Sequence, residues 1–128
     1  MKQEDKELLL KDLCGRLPYG VKGIGNYSTN CCSVVDTIEG ILHNNYVFID
    51  GCNFNISNIK LYLFPLSSMT NEQKVIYGDL CYAVIHSLAW DMQIALNELV
   101  DWLNKNHFDY RGLIEKGLAI DATDLNIY

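Results

Sequence analysis

The chain has 128 residues, 49% of them hydrophobic and 20% charged; this balance excludes intrinsic disorder and suits a single domain spanning residues 1–128. Its formal net charge is −6 and its 10 basic residues are scattered, which argues against an electrostatic face for nucleic acid. No apolar run approaches the roughly 18 residues that a membrane-spanning helix requires, so no membrane partner is expected.

The first predicted element is a short amphipathic helix from Glu4 to Leu17. Its leucines recur at helical spacing, and acidic residues stand at its start, where the helix dipole favours them. Gly15 and Pro18 mark its end. The helix is therefore expected to pack one apolar face on the rest of the domain.

Between Tyr19 and Leu66, short runs rich in β-branched residues alternate with turn signals. Residues 43–45 suit a tight hairpin because Asn tolerates positive φ angles, and Asp50-Gly51 is a second hairpin signal. The segment from Ile59 to Phe64 alternates between two faces, as a strand does. These signals predict an antiparallel β-meander, curled like a small SH3-like barrel.

The chain after Leu66 is predicted to be helical. Thr70 and Gln73 match a capping box, in which each side chain binds a free amide of the first turn. The stretch from Val75 to Trp90 is apolar on most sides, so it is predicted to be well buried, with Gly78 as an interruption.

Apolar residues at 3-and-4 spacing from Met92 to Leu103 predict the strongest helix of the chain. A last short helix is predicted from Arg111 to Lys116, with Asp109 as its cap and Gly117 as its stop. The fold class is therefore α+β, with an N-terminal helix, a small antiparallel β-meander and a helical C-terminal half.

No metal ion or other cofactor is predicted. None of the histidines, His43, His86 and His107, has a second ligand-type residue at the spacing of a helical metal site. His86 lies in an apolar run and is expected to be buried and to donate a hydrogen bond to a backbone carbonyl.

The cysteine pattern predicts reduced thiols in the cytoplasm. There are 5 cysteines without a CxxC motif, and residues 1–6 are too polar to begin a signal peptide. Cys31 and Cys32 are adjacent, so they would point to opposite faces of a strand and could hardly share a metal.

Gly20, Gly23 and Gly25 loosely resemble a phosphate-binding loop. Their spacing matches neither the dinucleotide-binding fingerprint nor the P-loop, and a polar loop follows them instead of a helix. We therefore interpret them as β-turn glycines, in a loop that could still close over a ligand.

The segment from Asp101 to Ala119 is dense in side chains that pack and hydrogen-bond at once. Trp, Tyr and Arg are enriched in binding interfaces, and aromatic residues with a satisfied polar tip equally lock a corner between helices. Packing accounts for most such clusters, so the structural interpretation is favoured over the functional one.

The run Asp101–Asn104 followed by His107–Ile114 resembles the C-terminal signature of an uncharacterised family of small phage and prophage proteins from gut anaerobes. Pro65–Thr70 resembles that family's entry into its helical half. The resemblance implies an origin in a phage or mobile element, and hence the cytoplasm of a host cell. It implies no activity.

The leading hypothesis is a non-enzymatic phage accessory protein that binds a host protein or sequesters a small, nucleotide-like ligand, as a homo-oligomer. Stacking on tyrosine and an ionic contact with arginine would suffice to hold such a ligand. The candidate ligand-binding residues are Tyr27, Trp102, His107, Tyr110 and Arg111.

Two alternatives stay open. One is a cryptic hydrolase that uses His107 or a cysteine with a carboxylate, and the other is a structural or assembly protein of a virion. A pocket that places His107 within hydrogen-bonding reach of Asp109 or a cysteine would favour the hydrolase. A large exposed apolar patch would favour partner binding or assembly.

Overall fold

The computed structural model describes residues 1–26, 33–43, 46–87 and 91–128. The helices are α1 (Gln3–Arg16), α2 (Asn71–His86) and α3 (Met92–Lys105). The strands are β1 (Lys22–Asn26), β2 (Ser33–Leu42), β3 (Tyr46–Ile49), β4 (Cys52–Asn55), β5 (Ile59–Pro65), β6 (Phe108–Asp109) and β7 (Ala119–Asp121). The α+β class, the N-terminal helix and the two later helices are confirmed. Within the described ranges no helix has the length and apolarity needed to cross a membrane.

The strands form a sheet in the order β4-β3-β2-β1-β5-β6, and β7 pairs with β5. Neighbours from β1 to β4 are antiparallel, as a meander requires. β5 then returns to the other side of β1, and the short strands β6 and β7 each pair with it in parallel. The described sheet is open, so the SH3-like barrel is wrong: β7, from the C-terminal half, occupies the edge of β5 that β4 would have to reach.

Both predicted hairpins join antiparallel neighbours. Asp50 and Gly51 turn the chain from β3 into β4 with φ angles of 50° and 72°, the left-handed values that a tight hairpin turn requires. β2 and β3 are likewise paired, although residues 44–45 of their turn lie outside the described ranges.

The three glycines of the loosely phosphate-like segment do not form one loop. Gly20 lies in a turn, whereas Gly23 and Gly25 lie inside β1, so the β-turn interpretation is wrong for these two. A Cβ atom on Gly25 would stand 2.6 Å from the ring of Phe54. Glycine is needed there because the strand backbone approaches a buried aromatic ring.

The main core lies between α1 and the sheet. Leu9 and Leu13 of α1 are fully buried, as the helical spacing predicted. Apolar residues of the strands and of the segment before β7 complete this core: Val21, Ile38, Val47, Ile49, Phe54, Ile56, Ile59, Leu61, Leu63, Leu113, Leu118 and Ala119. Burial of these side chains is the main favourable contribution to folding.

α2 and α3 contact each other as a helical hairpin. The capping box is confirmed, because the Thr70 hydroxyl accepts from the Gln73 amide and the Gln73 side chain accepts from the Thr70 amide. α2 continues through Gly78 without a break. None of its residues is buried, so the predicted burial of residues 75–90 is wrong over the described part of that stretch.

The cause is that α2 is covered on one side only. His86 accordingly is exposed instead of buried, and its ring contacts that of Tyr82 with centroids 4.0 Å apart. An apolar composition on most sides of a helix therefore did not place it in the interior.

The last predicted helix, Arg111–Lys116, is a series of turns instead. Asp109 does cap it, since its two carboxylate oxygens accept from the amides of Leu113 and Ile114. The amides of Leu118 and Ala119 both donate to the carbonyl of Leu113. These bonds reverse the chain so that β7 can pair with β5, and a continued helix would prevent that pairing.

Candidate functional site

A buried ion pair lies at the C-terminal end of α1. Asp12 and Arg16 stand one turn apart on the inward face of the helix, and both side chains are 0% exposed. Arg16 Nε lies 2.6 Å from Asp12 Oδ2, and Arg16 Nη2 donates to Asp12 Oδ1 at 3.2 Å. Nη2 also donates to the carbonyl oxygen of Phe108 at 2.6 Å, so the pair fastens α1 to β6.

A second arginine joins this pair. Arg111 Nε donates to Asp12 Oδ1 at 3.2 Å, and the Tyr110 hydroxyl donates to Asn104 Oδ1 at 2.8 Å. Both guanidinium groups lie over the Tyr110 ring, with 5.1 Å from Arg16 and 5.0 Å from Arg111 to its centroid. We call Asp12, Arg16, Asn104, Tyr110 and Arg111 the arginine corner.

The arginine corner holds α1, α3 and the C-terminal segment together. Two guanidinium groups share one carboxylate, so the cluster carries a net positive charge. Arg16 Nη1 is buried and has no hydrogen-bond partner among the described residues. Buried charges of this kind are tolerated only when their partners stay in place, which makes the corner a structural fastener.

The structure brings only some of the predicted ligand-binding residues together. Tyr110 and Arg111 meet in the arginine corner. Trp102 lies next to it and stacks on Phe108, with ring centroids 5.6 Å apart. Tyr27 lies outside the described residues.

His107 does not join the arginine corner; its ring stacks on that of Tyr128. Burial lowers the pKa of His107 to about 4, and the positive charges of Arg16 and Lys22 act in the same direction. Its buried Nδ1 atom has no hydrogen-bond partner within the described chain. Both carboxylate oxygens of Asp109 are bonded to backbone amides. The geometry therefore presents a neutral imidazole and a separately engaged carboxylate, which does not favour the hydrolase.

Two open clefts flank β6. One, of about 500 Å³, lies between Pro65–Ser67 and the segment 109–115. The other, of about 360 Å³, is lined in part by Ser68, Gln73 and Asn106. Each of these three polar side chains already makes a hydrogen bond within the chain. A ligand of the second cleft would have to compete with these bonds or use the other side chains that line it, among them His107.

Metal and thiol chemistry find little support in the described part of the chain. No group of three or more His, Cys, Asp or Glu side chains there could hold a metal ion. Cys14, Cys52 and Cys81 are free thiols. Cys31 and Cys32 lie outside the described residues.

The more distinctive surface is on α2, which carries two apolar seams on different faces. The inner seam is partly buried and consists of Tyr77, Leu80, Cys81 and Val84. The outer seam is exposed, recurs at the same 3-and-4 spacing, and consists of Val75, Gly78, Tyr82 and Ile85. Tyr77 contacts Trp102 of α3, with ring centroids 6.3 Å apart. The inner seam is thus used within the hairpin.

The outer seam keeps most of its apolar area in solvent. Val75, Tyr82 and Ile85 are 64%, 63% and 74% exposed. Lys74 and Asp79 are also exposed and flank the seam on opposite sides, and neither forms an ion pair with a described residue. The outer seam is therefore an amphipathic helix face without a partner in the described chain.

Sequence reasoning missed this surface because it interpreted apolar residues all round α2 as burial. In α2 two series of apolar residues at 3-and-4 spacing overlap. Only the outer series has a charged residue on each side, and this feature distinguishes a helix with an exposed seam from a buried helix. Comparison of the chain with protein families, curated sequences and solved structures finds no match. The exposed face of α2 is therefore the basis from which a function is inferred.

Proposed function

We propose that the chain is a non-enzymatic binding protein that docks a helix of a partner chain on the outer seam of α2. The observation that carries the proposal is the exposure of Val75, Tyr82 and Ile85 on one face of a capped helix. Contiguous exposed apolar surface marks interaction sites more often than isolated apolar residues do. An amphipathic helix recognised through residues at 3-and-4 spacing is a recurrent binding mode.

Covering the seam would supply favourable free energy for binding. A fully covered Val or Ile side chain contributes roughly 1.5–3 kcal/mol, and an aromatic ring in the middle of an interface is a common hot spot. The capping box and the packing of Tyr77 on α3 hold α2 in its helical form before a partner arrives. Binding therefore would not have to supply the ordering of this helix.

Sequestration of a small ligand in the arginine corner is less well supported. Arg16 is 0% exposed, and its guanidinium group is bonded to Asp12 and to a backbone carbonyl. The Tyr110 hydroxyl is likewise engaged by Asn104. A ligand would have to break a buried ion pair to reach these groups, which is costly.

The predicted phage origin indicates the class of partner. A phage accessory protein of this type would meet a host protein in the cytoplasm, where the thiols of Cys14, Cys52 and Cys81 would stay reduced. An assembly role in a virion would use the same exposed seam and would differ only in the partner.

The test is site-specific photocrosslinking in cells. A benzoyl-phenylalanine in place of Tyr82 is expected to give an adduct of one defined mass, because its ring would lie inside the contact. The matched control replaces Tyr46 of β3, which is 44% exposed and lies outside the seam, and should give no such adduct. Adding Ile85→Asp to the Tyr82 variant should abolish the adduct. An adduct that survives Ile85→Asp, or none at all, would overturn the proposal.

A further inference from the structure

We infer that the occupant of the outer seam is a second copy of the same chain, aligned so that the two α2 helices form a short parallel coiled coil. The inference rests on the proposed function, because it names the partner of the same surface. Four observations support the inference: the heptad positions of the outer seam, the charges beside the seam, Gly78, and the exposed area of the seam.

The outer seam has the spacing of a coiled-coil core. Val75 and Tyr82 are seven residues apart and take the a positions, and Gly78 and Ile85 take the d positions. Val75 is β-branched, as residues at the a positions of parallel two-stranded coiled coils often are. α2 has 16 residues. The contact would therefore be short and would extend from the first a position, Val75, to the second d position, Ile85.

The flanking charges decide the orientation. In this frame Lys74 takes a g position and Asp79 takes the e position five residues later. In a parallel pair a g residue lies beside the e residue of the next heptad on the other helix, so each Lys74 would meet Asp79 of the second copy. An antiparallel pair in register would instead bring the two Asp79 carboxylates together. The charge pattern therefore selects a parallel pair of identical chains.

Gly78 points to the same contact. A Cβ atom at this position would meet nothing within 4 Å, so packing inside the chain does not require glycine here. Glycine in the middle of an exposed helix is nonetheless unfavourable relative to alanine. A second helix that crosses the seam at this d position would use the missing side chain for close approach, beside the large rings of Tyr82.

The exposed area agrees with a short helix-helix contact. Val75, Tyr82 and Ile85 expose roughly 400 Å² of mostly apolar surface, about half of the about 800 Å² that one partner contributes to a stable interface. A chain with a net charge of −6 repels its own copies. Contact through a seam flanked by one charge of each sign limits that repulsion.

The experiment measures the mass of the full chain in solution by sedimentation equilibrium. We expect the wild type to be a dimer at micromolar concentration and Ile85→Asp to be a monomer. The matched control is Ile94→Asp on α3, which is 59% exposed and outside the seam, and which should remain a dimer. Lys74→Glu should weaken the dimer by about tenfold or more, since it places two like-charged pairs in contact. Asp79→Lys added to it should restore the affinity, because the pairs are then reversed.

The outcomes separate this inference from the proposed function. A wild type that stays monomeric at about 100 μM overturns the inference. If Tyr82 then crosslinks to a different protein, the proposed function stands with another partner; if it crosslinks to nothing, both fail. A dimer that persists in Ile85→Asp, or a charge reversal that does not restore affinity, also overturns the parallel arrangement.

Discussion

The imidazole ring of His107 stacks on the phenol ring of Tyr128, with ring centroids 3.8 Å apart and the planes 11° from parallel. The Tyr128 hydroxyl donates to the carbonyl of Tyr62 in β5 and accepts from the amide of Lys22 in β1. Burial raises the pKa of Tyr128 to about 12. The two rings are thus neutral near pH 7, and together they fasten the C-terminus of the chain to the centre of the sheet.

This stack predicts a pH dependence of stability. The pKa of His107 is about 4 in the folded chain, against a reference value of 6.5, so between these values the unfolded chain binds more protons. The contribution is fully present above pH 6.5, and the free energy of unfolding decreases as the pH falls from 6.5 towards 4. Urea titrations at successive pH values would measure this decrease.

The variant His107→Asn isolates the contribution of the imidazole. Asn tolerates the φ angle of 60° at this position, so the backbone can keep its conformation. Its free energy of unfolding should be lower than that of the wild type near pH 7 and should change less between pH 6.5 and 4. Equal slopes in the two proteins would show that another group is responsible.

Loss of the Asp12 carboxylate should severely destabilise the fold. Asp12→Ala leaves two guanidinium groups without their shared partner, and breaking a buried ion pair in this way costs about 3–5 kcal/mol. The matched control, Asp101→Ala, changes an exposed aspartate in α3 and should alter the free energy of unfolding by less than about 0.5 kcal/mol. Chemical denaturation of both variants would compare them.

The double variant Asp12→Leu with Arg16→Met tests whether the charge itself is the cause. Apolar side chains of similar size often replace a buried ion pair without loss. Arg111 is partly exposed and could turn to solvent, so the double variant should be more stable than Asp12→Ala. A double variant at least as unstable as Asp12→Ala would indicate that the shape of the corner matters more than its charge.

Two glycine-to-alanine changes are predicted to act in opposite directions. Gly25→Ala would bring a methyl group within 2.6 Å of the Phe54 ring, so it should lower the melting temperature. Gly78→Ala meets no neighbour and replaces a poor helix former, so it should increase the free energy of unfolding by up to about 1 kcal/mol. Calorimetry in an Ile85→Asp background would exclude any effect of self-association. A destabilising Gly78→Ala there would mean that this face of α2 is covered within the chain.

Truncation of two aliphatic residues should show which side of the molecule is the core. Leu61→Ala removes a fully buried side chain from β5 and should cost about 2–5 kcal/mol. Ile85→Ala changes a side chain that is 74% exposed and should cost less than about 0.5 kcal/mol in dilute solution. Similar losses in both variants would contradict the exposure of the outer seam.

Some predictions that depend on neighbouring residues were confirmed, whereas the helix predicted from Arg111 to Lys116 was not. The capping box joins Thr70 to Gln73, and the Asp50-Gly51 turn joins adjacent strands. The composition of the arginine corner could not be predicted in this way. Tyr110 and Arg111 are adjacent in sequence and were predicted to act together, but Asp12 lies 99 positions from Arg111, and no local pattern connects them.

The sequence by itself determined α1, α2 and α3, the caps at Thr70 and Asp109 and the antiparallel hairpins, because these depend on hydrogen bonds and side-chain spacing over a few residues. Only the tertiary structure decided the order of the sheet, where β7 occupies the edge of β5 that a closed barrel would use. It also decided which seam of α2 is covered. The two seams have the same spacing and similar apolar composition and differ in their flanking charges; the inner one is covered because α3 packs against it, and that contact depends on residues far along the chain.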